Sequence, residues 1–246
     1  MFIRRVISFF IVIPAVTSCS PAYVANSRNT PLFAEAGEIA ANVSYGFPGT
    51  EAQLAYAVTD HLAVMTNVSA KWSNSESSAL DTIKQQHFFG EAGVGYFLKE
   101  EDFRTEIFGG FGMGKSLSNN NSSLFDNENH LASGIYNRIF IQPSISTNEN
   151  GFNVIFTPRI SWVNFRKFSP YPQGSPDFSA PPSRGYKPFF EPSLTGRFPL
   201  QGIFLCYFQL GINLPFDNYD YNYNYSGLHL AVGLQVRTSL LYKDGN

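Results

Sequence analysis

Residues 109–116 match the phosphate-binding pattern G-x-x-x-x-G-K-[ST], which ends here on Lys115 and Ser116. That chemistry needs a helix directly afterwards, because the amides at the helix N-terminus receive the phosphate oxygens. The residues that follow, 117–122, are typical of a loop, so we assign no nucleotide site. We interpret the segment as a glycine-rich strand in which three residues make room in the interior of a barrel: Gly110, Gly112 and Gly114.

Aspartate and histidine side chains could act as general acid and base if two of them shared one water molecule. No Asp-x-His or Asp-x-Asp pair, which would aim two side chains from one strand face at a common water, occurs among the candidates. We interpret them as solvated loop charges and expect no enzyme. No clustered Cys, His and Asp spacing suggests a metal, and no cofactor is expected. The candidates are Asp81, His87, Asp126, His130, Asp177, Asp217 and Asp220.

Composition narrows the class of protein. The chain has 17 basic and 19 acidic residues, a formal net charge of −2, so no nucleic-acid partner is implied. Charged residues make up 15% of the chain, against roughly 25% in an ordinary soluble domain, while aromatic residues reach 16%. Because no apolar run of about 18 residues occurs, a multi-span helical membrane protein is excluded. A β-rich, weakly charged chain remains.

The N-terminus predicts an export signal over residues 1–18. Arg4 and Arg5 precede a short apolar core, which is too short to span a bilayer. Residues 16–19 resemble the bacterial lipobox, in which a small residue precedes a cysteine, here Cys19, that is lipidated and becomes the mature N-terminus. The alternative is an ordinary signal peptide cleaved a few residues later. We expect residues 19–36, which are loop-like, to form a periplasmic tether and residues 37–246 to form one domain.

That domain shows period-two alternation to its end, which predicts strands. The predicted strands are residues 37–46, 51–58, 61–73, 86–98, 103–116, 135–147, 152–166, 187–198, 203–215 and 227–241. Tight connections alternate with long polar ones, at 74–85, 117–134, 167–186 and 216–226. This alternation is typical of a transmembrane antiparallel up-and-down β-barrel of about ten strands, with short periplasmic turns and long extracellular loops.

The alternation also predicts which charged side chains face the barrel interior. Their signs nearly balance, so we expect them to pair with one another, as buried charges require. A ten-stranded barrel with such long interior side chains should be largely plugged, and a narrow channel for small solutes is the alternative. The expected lumen charge network is Glu38, Glu51, Lys71, Glu91, Arg104, Glu106, Arg138, Arg159, Glu191, Arg197 and Arg237.

Aromatic side chains on the opposite face cluster toward the two ends of the strands. Such belts place amphipathic rings at the two headgroup levels of a membrane. Lys115 is the one charged residue expected on this face, near the loop end of its strand. The belts are Tyr45, Trp72, Phe88 and Trp162 toward the long loops, and Tyr96, Phe103, Phe152, Phe198, Phe204 and Tyr242 toward the short turns.

Three prolines fall at one height on the sixth to eighth strands, facing outward: Pro143, Pro158 and Pro192. A proline removes a ladder hydrogen bond, so a shared level suggests an interruption in the wall. Our hypothesis is that this sector contacts a partner protein; tolerated prolines with only local irregularity are the alternative. The loop at residues 217–225, which alternates tyrosine with small polar residues, is a second candidate for recognition, or else a continued strand.

Several short sequence segments resemble those of a known group of proteins. The lipobox, the segment 23–33 before a Gly-Glu strand, residues 57–64 and residues 189–194 are similar to small outer-membrane β-barrel proteins of Gram-negative bacteria, several of them predicted lipoproteins. The resemblance covers most of the mature chain and implies fold and outer-membrane location, with outer-membrane lipid as the surroundings. It leaves open a structural or surface-interaction role, a narrow channel, or an omptin-like protease at the rim.

Overall fold

The computed structural model describes residues 23–78, 81–100, 103–121, 129–147, 152–169, 185–216 and 225–238. Almost all of these residues are extended, because β-branched and aromatic residues alternate with polar ones along the chain. No helix among them is long and apolar enough to cross a membrane. The strands are β1 (Ile39–Gly46), β2 (Gly49–Ala57), β3 (Leu62–Ser78), β4 (Asp81–Lys99), β5 (Phe103–Asn121), β6 (Asn129–Thr147), β7 (Asn153–Ser169), β8 (Lys187–Pro199), β9 (Phe204–Ile212), β10 (Leu214–Pro215) and β11 (Leu228–Arg237).

The strands form one closed barrel. Each of β1 to β8 pairs antiparallel with the next strand, β8 pairs with both β9 and β10, and β9 pairs with β11. The ladder between β11 and β1 closes the ring. Because β9 and β10 are one barrel strand interrupted at Asn213, the wall has ten strands. The predicted all-β, antiparallel, up-and-down barrel is confirmed.

Two ends of the barrel are distinguished by their connections. At the short-turn end β2 is followed by β3, β4 by β5, β6 by β7 and β8 by β9. At the long-loop end β1 is followed by β2, β3 by β4, β5 by β6, β7 by β8 and β10 by β11. At the long-loop end β3, β4, β5 and β6 continue beyond the predicted limits. The prediction of loops at 74–85 and 117–134 is therefore wrong in part, because polar segments paired with each other form strands without an apolar face.

The outer surface is apolar and has aromatic residues near both ends. Toward the long-loop end Trp72 and Tyr45 are 73% and 70% exposed. Lys115 is exposed there as well, and it is paired directly with Phe88 and Ile135. Its charge therefore lies at the level of an outward aromatic ring, where a headgroup region would solvate it.

The interior contains a segment of the chain. Residues 23–33, expected to lie in a periplasmic tether, are all buried inside the wall. The expectation fails here because the segment has no periodicity of its own, while the polar wall offers partners for its backbone. We call residues 23–33 the lumen segment.

Gly112 shows how tightly the wall packs. A Cβ built there would lie 2.4 Å from the Phe89 ring, and one at Gly114 would lie 2.6 Å from the Tyr136 ring. The interpretation of these glycines as making room in the interior is confirmed. The phosphate-binding pattern lies entirely within strand β5.

We expect Gly112→Ala to lower the free energy of unfolding by about 1–3 kcal/mol, because overpacking would displace Phe89. Gly109→Ala is the matched control on the same strand, since its Cβ would meet nothing closer than the Phe140 carbonyl oxygen at 3.8 Å. Urea titration of the refolded barrels, followed by heat-modifiable gel migration, measures both. Equal midpoints for the two variants would contradict the packing argument.

Candidate functional site: the lumen segment and its wall

The lumen segment has no regular secondary structure, so wall side chains must satisfy its backbone. Leu32 is the clearest case, since its φ of 52° is in a region that a non-glycine residue rarely adopts. Its N–H donates to Glu106 Oε2 at 2.7 Å, and its carbonyl oxygen accepts from Arg104 Nη1 at 3.1 Å and from Arg237. This backbone conformation costs about 1–3 kcal/mol, and the hydrogen bonds from the wall hold Leu32 in it.

Tyr23 marks the long-loop end of the segment. Its carbonyl oxygen accepts a hydrogen bond from the Ser226 N–H at 2.9 Å, and its backbone forms a parallel bridge with Tyr225. Its hydroxyl donates to Glu191 Oε1 at 2.5 Å and accepts from Arg138 Nη1 at 2.9 Å. A fully buried phenol is thus paired on both sides, as burial of a polar group requires.

Asn26 lies at the centre of the charged cluster. Its amide donates to Glu91 Oε1 at 2.7 Å and its Oδ1 accepts from Arg138 Nη2 at 2.6 Å. Arg138 also bonds Glu91 directly, and Arg159 Nε lies 2.7 Å from Glu191 Oε2. All four charged side chains are fully buried, so each depends on these partners for its charge.

Ser27 and Arg28 bind the wall through side chains and backbone together. The Ser27 N–H donates to Glu51 Oε1 at 2.8 Å, and its hydroxyl also bonds that carboxylate. The Arg28 N–H donates to Gln209 Oε1 at 2.7 Å, while Gln209 Nε2 donates back to the Arg28 carbonyl at 3.0 Å. The glutamine therefore pairs with the segment as a neighbouring strand would.

The Arg28 guanidinium bonds neutral oxygens. It donates to the Glu191 carbonyl oxygen at 3.2 and 3.1 Å and to Asn213 Oδ1 at 2.9 Å. Asn213 is the residue at which β9 and β10 are interrupted, and its own N–H donates to the Gly227 carbonyl at 2.9 Å. The in–out alternation of β9 continues through this residue, so the Asn213 side chain faces the lumen segment.

Phe33 marks the short-turn end of the segment. It is fully buried and packs against the Phe97 ring at a centroid distance of 5.7 Å. Ala57, the last residue of β2, and Ala63, near the start of β3, belong to the same apolar cluster. The lumen is therefore polar in its middle and lined by an apolar cluster at this end.

Nine of the eleven expected lumen charges contact the lumen segment, and the structure brings these nine together around it. Glu38 instead pairs with Arg237 at 3.1 Å, and Lys71, which is only partly buried, donates to the Phe47 carbonyl at 3.2 Å. The nine are Glu51, Glu91, Arg104, Glu106, Arg138, Arg159, Glu191, Arg197 and Arg237.

The expectation that these charges pair with one another is therefore wrong in part. Glu51 and Glu106 accept hydrogen bonds from backbone N–H groups of the lumen segment. Arg197 donates to Thr30, to its carbonyl and, at 2.8 Å, to its hydroxyl. A backbone segment can satisfy carboxylates and guanidinium groups alike, because it offers both N–H and C=O groups.

The aspartates and histidines considered for hydrolysis do not form a described cluster. His87 faces the lumen, is 4% exposed, and lies with its Nε2 2.8 Å from the Tyr136 hydroxyl. It stacks beside the Phe89 ring. The side chains of Asp81, Asp126, His130, Asp177, Asp217 and Asp220 lie outside the described part of the chain.

The three prolines do lie at one level. Pro158 is paired directly with Pro192. The pairs Ile141–Ile160 and Ile145–Phe156 flank the third proline, Pro143, and set it opposite Pro158. Between those two pairs the β6–β7 ladder is interrupted, in a stretch that the structure describes throughout. The prediction of a shared level is confirmed; its role as a contact face is not tested by this register.

The predicted lipidation residue Cys19, the signal peptide over 1–18 and the tyrosine-rich residues 217–224 lie outside the described residues.

No family model and no curated protein sequence matches the chain. Among solved structures, the translocator domain of the autotransporter NalP from Neisseria meningitidis is similar, with 12% identity, a TM-score of 0.49, and coverage of 81% of this chain and 86% of that chain. OmpT, an outer membrane protein of Vibrio cholerae, gives 7% identity and a TM-score of 0.25, with coverage of 82% and 95%.

Proposed function

We propose that the chain is an outer-membrane β-barrel lipoprotein with a structural or surface-interaction role and a lumen that does not conduct. The observation that carries the proposal is the lumen segment, whose residues 23–33 are all buried inside the wall. Because the space between opposite walls holds main chain as well as side chains, no open aqueous path is expected. A closed barrel acts through its surfaces, which are its loops and its outer wall.

We expect the purified wild-type protein to give no large steady conductance in planar bilayers. The lumen segment is hydrogen-bonded to wall side chains along its length, from Tyr23 to Leu32, so thermal motion should not displace it. Reproducible openings comparable to those of a general porin would favour the alternative, a narrow channel for small solutes. Heat-modifiable migration of the same sample ensures that a silent protein is also a folded one.

The outward apolar wall and its aromatic ends support an outer-membrane location. The lipobox-like residues 16–19 support acylation of Cys19, following a signal peptide over residues 1–18. Incorporation of labelled fatty acid, lost in Cys19→Ala, tests the lipoprotein assignment separately from the barrel.

An omptin-like protease stays a lesser alternative. Among the aspartates and histidines considered for hydrolysis, the one histidine whose side chain is described, His87, is buried against Tyr136.

For partners, we propose the proline level of β6 to β8 as the contact face. An interrupted ladder leaves a local irregularity in the wall where a partner can pack. We expect single cysteines introduced as Ile141→Cys, Ile160→Cys or Leu194→Cys, in a Cys206→Ser background, to crosslink to neighbouring proteins in the membrane. The matched controls are Val64→Cys and Val232→Cys, which are also outward-facing but lie on β3 and β11. Equal crosslinking on both sides of the barrel would reject this face.

A further inference from the structure

The lumen segment runs from one end of the barrel to the other, and hydrogen bonds hold its C-terminal end at the short turns. Just after it, the Ala36 N–H donates to Asp60 Oδ1 at 3.0 Å and the Gly37 N–H donates to the Ala57 carbonyl at 2.8 Å. Asp60 lies in the short turn at residues 58–61. The chain therefore passes from the lumen into β1 at the short-turn end of the barrel.

The N-terminal end of the segment is held at the long-loop end of the barrel. The Tyr23 backbone bonds Ser226 and bridges Tyr225, which lie in the long connection just before β11. The Tyr23 ring packs on Phe189, near the long-loop end of β8, at a centroid distance of 5.0 Å. Going from residue 36 back to residue 23, the chain thus crosses the barrel from the short turns to the long loops.

The length of chain beyond Tyr23 limits where Cys19 can be. Four residue steps separate them (23 minus 19), and an extended chain covers about 3.3–3.6 Å per residue, or about 14 Å in all. Returning to the short-turn end would mean crossing an apolar core of about 30 Å. It would also need a second strand of chain through a lumen that residues 23–33 already occupy.

We propose that the mature N-terminus leaves the barrel at the long-loop end, so that acylated Cys19 anchors in the outer leaflet of the outer membrane. The lipid part of this inference rests on the proposed lipoprotein function. The polarity of the chain does not rest on it. Residues 20–22, Ser-Pro-Ala, are small and uncharged, which suits a short spacer between the barrel rim and a lipid surface.

An epitope inserted after Ser20 tests the polarity in intact cells. Two reference epitopes calibrate the sides: one in the long connection within residues 217–224 and one after Gln201 in a short turn. We expect antibody to reach the Ser20 epitope under the same conditions as the long-loop reference, and to reach the short-turn epitope only after permeabilisation. If the Ser20 epitope instead follows the short-turn reference, the proposal is overturned. If the Ser20 epitope and the long-loop reference are both reached only after permeabilisation, the location in the outer leaflet is overturned as well.

A smaller probe covers the case in which the epitope prevents folding. Ser20→Cys in a Cys206→Ser background is labelled with a membrane-impermeant maleimide, and heat-modifiable migration selects folded protein. Labelling in intact cells that matches a cysteine introduced in the long loop supports the proposal, and labelling that matches a short-turn cysteine overturns it. Fatty-acid labelling of the wild type and of Cys19→Ala is measured in parallel. A failure of the lipoprotein assignment would appear there. If an ordinary signal peptide is then cleaved beyond residue 20, the new N-terminal amine is labelled with a membrane-impermeant amine reagent, and the side on which it reacts decides the direction of the chain.

Discussion

Replacing Arg138 with methionine is expected to lower the free energy of unfolding by about 3–5 kcal/mol, the range for breaking a fully buried ion pair on one side. Arg138 bonds Glu91 directly and donates to the hydroxyl of Tyr23 and the amide oxygen of Asn26. Methionine fills a similar volume without donors. The loss therefore reports two lumen-segment acceptors and the Glu91 carboxylate, which keeps only its longer ion pair with Arg159, at 3.8 Å. Urea titration of refolded protein, read by heat-modifiable migration and circular dichroism, measures it.

Arg104→Met is the matched control, because this arginine is only partly buried and also donates to the lumen segment, at the Leu32 carbonyl. We expect a clearly smaller loss there, since water can solvate what remains. In the double variant Arg138→Met with Glu91→Gln, part of the loss should be recovered, because no buried charge is then left without its partner. If both arginine variants lost a similar free energy of unfolding, the buried cluster would contribute no more to stability than a partly exposed contact.

Deleting residues 20–33 is expected to produce the second large effect, a change from a silent barrel to one with repeated discrete openings in planar bilayers. The deletion removes the main chain from the centre of the lumen, and water then takes its place around the polar wall. The wall side chains that the segment satisfied become hydrated, so the barrel should still close, with a lower free energy of unfolding.

A deletion of residues 217–224 is the control, because it also shortens the chain but keeps residues 20–33 in the sequence. That variant should stay silent. Heat-modifiable migration must first show that both variants form barrels. A folded barrel that lacks residues 20–33 and still passes no current would mean that the wall side chains alone close the lumen, which contradicts the role given to the segment.

The wall could be predicted from the sequence because its rule is local. Alternation along each strand places Val64 outside and Asn67 inside, and the same parity sends the lumen charges inward. The strand ends at the long-loop side were harder. The polar residues 74–78 pair with residues 81–84 through backbone hydrogen bonds between neighbouring strands, and an alternation of apolar residues does not report those bonds.

The lumen segment could not be predicted by the same rule, since its partners are distant. Tyr23 and Glu191 are separated by 168 positions, and no periodicity in residues 23–33 announces their contact. The composition of the segment was nevertheless a signal. It contains Tyr23, Arg28 and Phe33, large residues that a solvated tether does not need. Side-chain charges alone predict that the acidic and basic residues of the lumen pair with one another. Every residue but proline has both a backbone N–H and a C=O group, so the sequence does not show which of these groups bind the charges instead.

The closure of the wall by β1 and β11 has a consequence for the order of folding. Tyr45 is paired with Val232, so the ring closes between residues far apart in the chain, a slow contact to form. The lumen segment precedes β1 and is bonded by side chains from widely separated strands, such as Glu51, Arg138 and His229. Once the ring is closed, its packed wall leaves little room for residues 23–33 to be threaded into it. We therefore expect the sheet to curl around residues 23–33 while it is still open, and the β1–β11 ladder to form last.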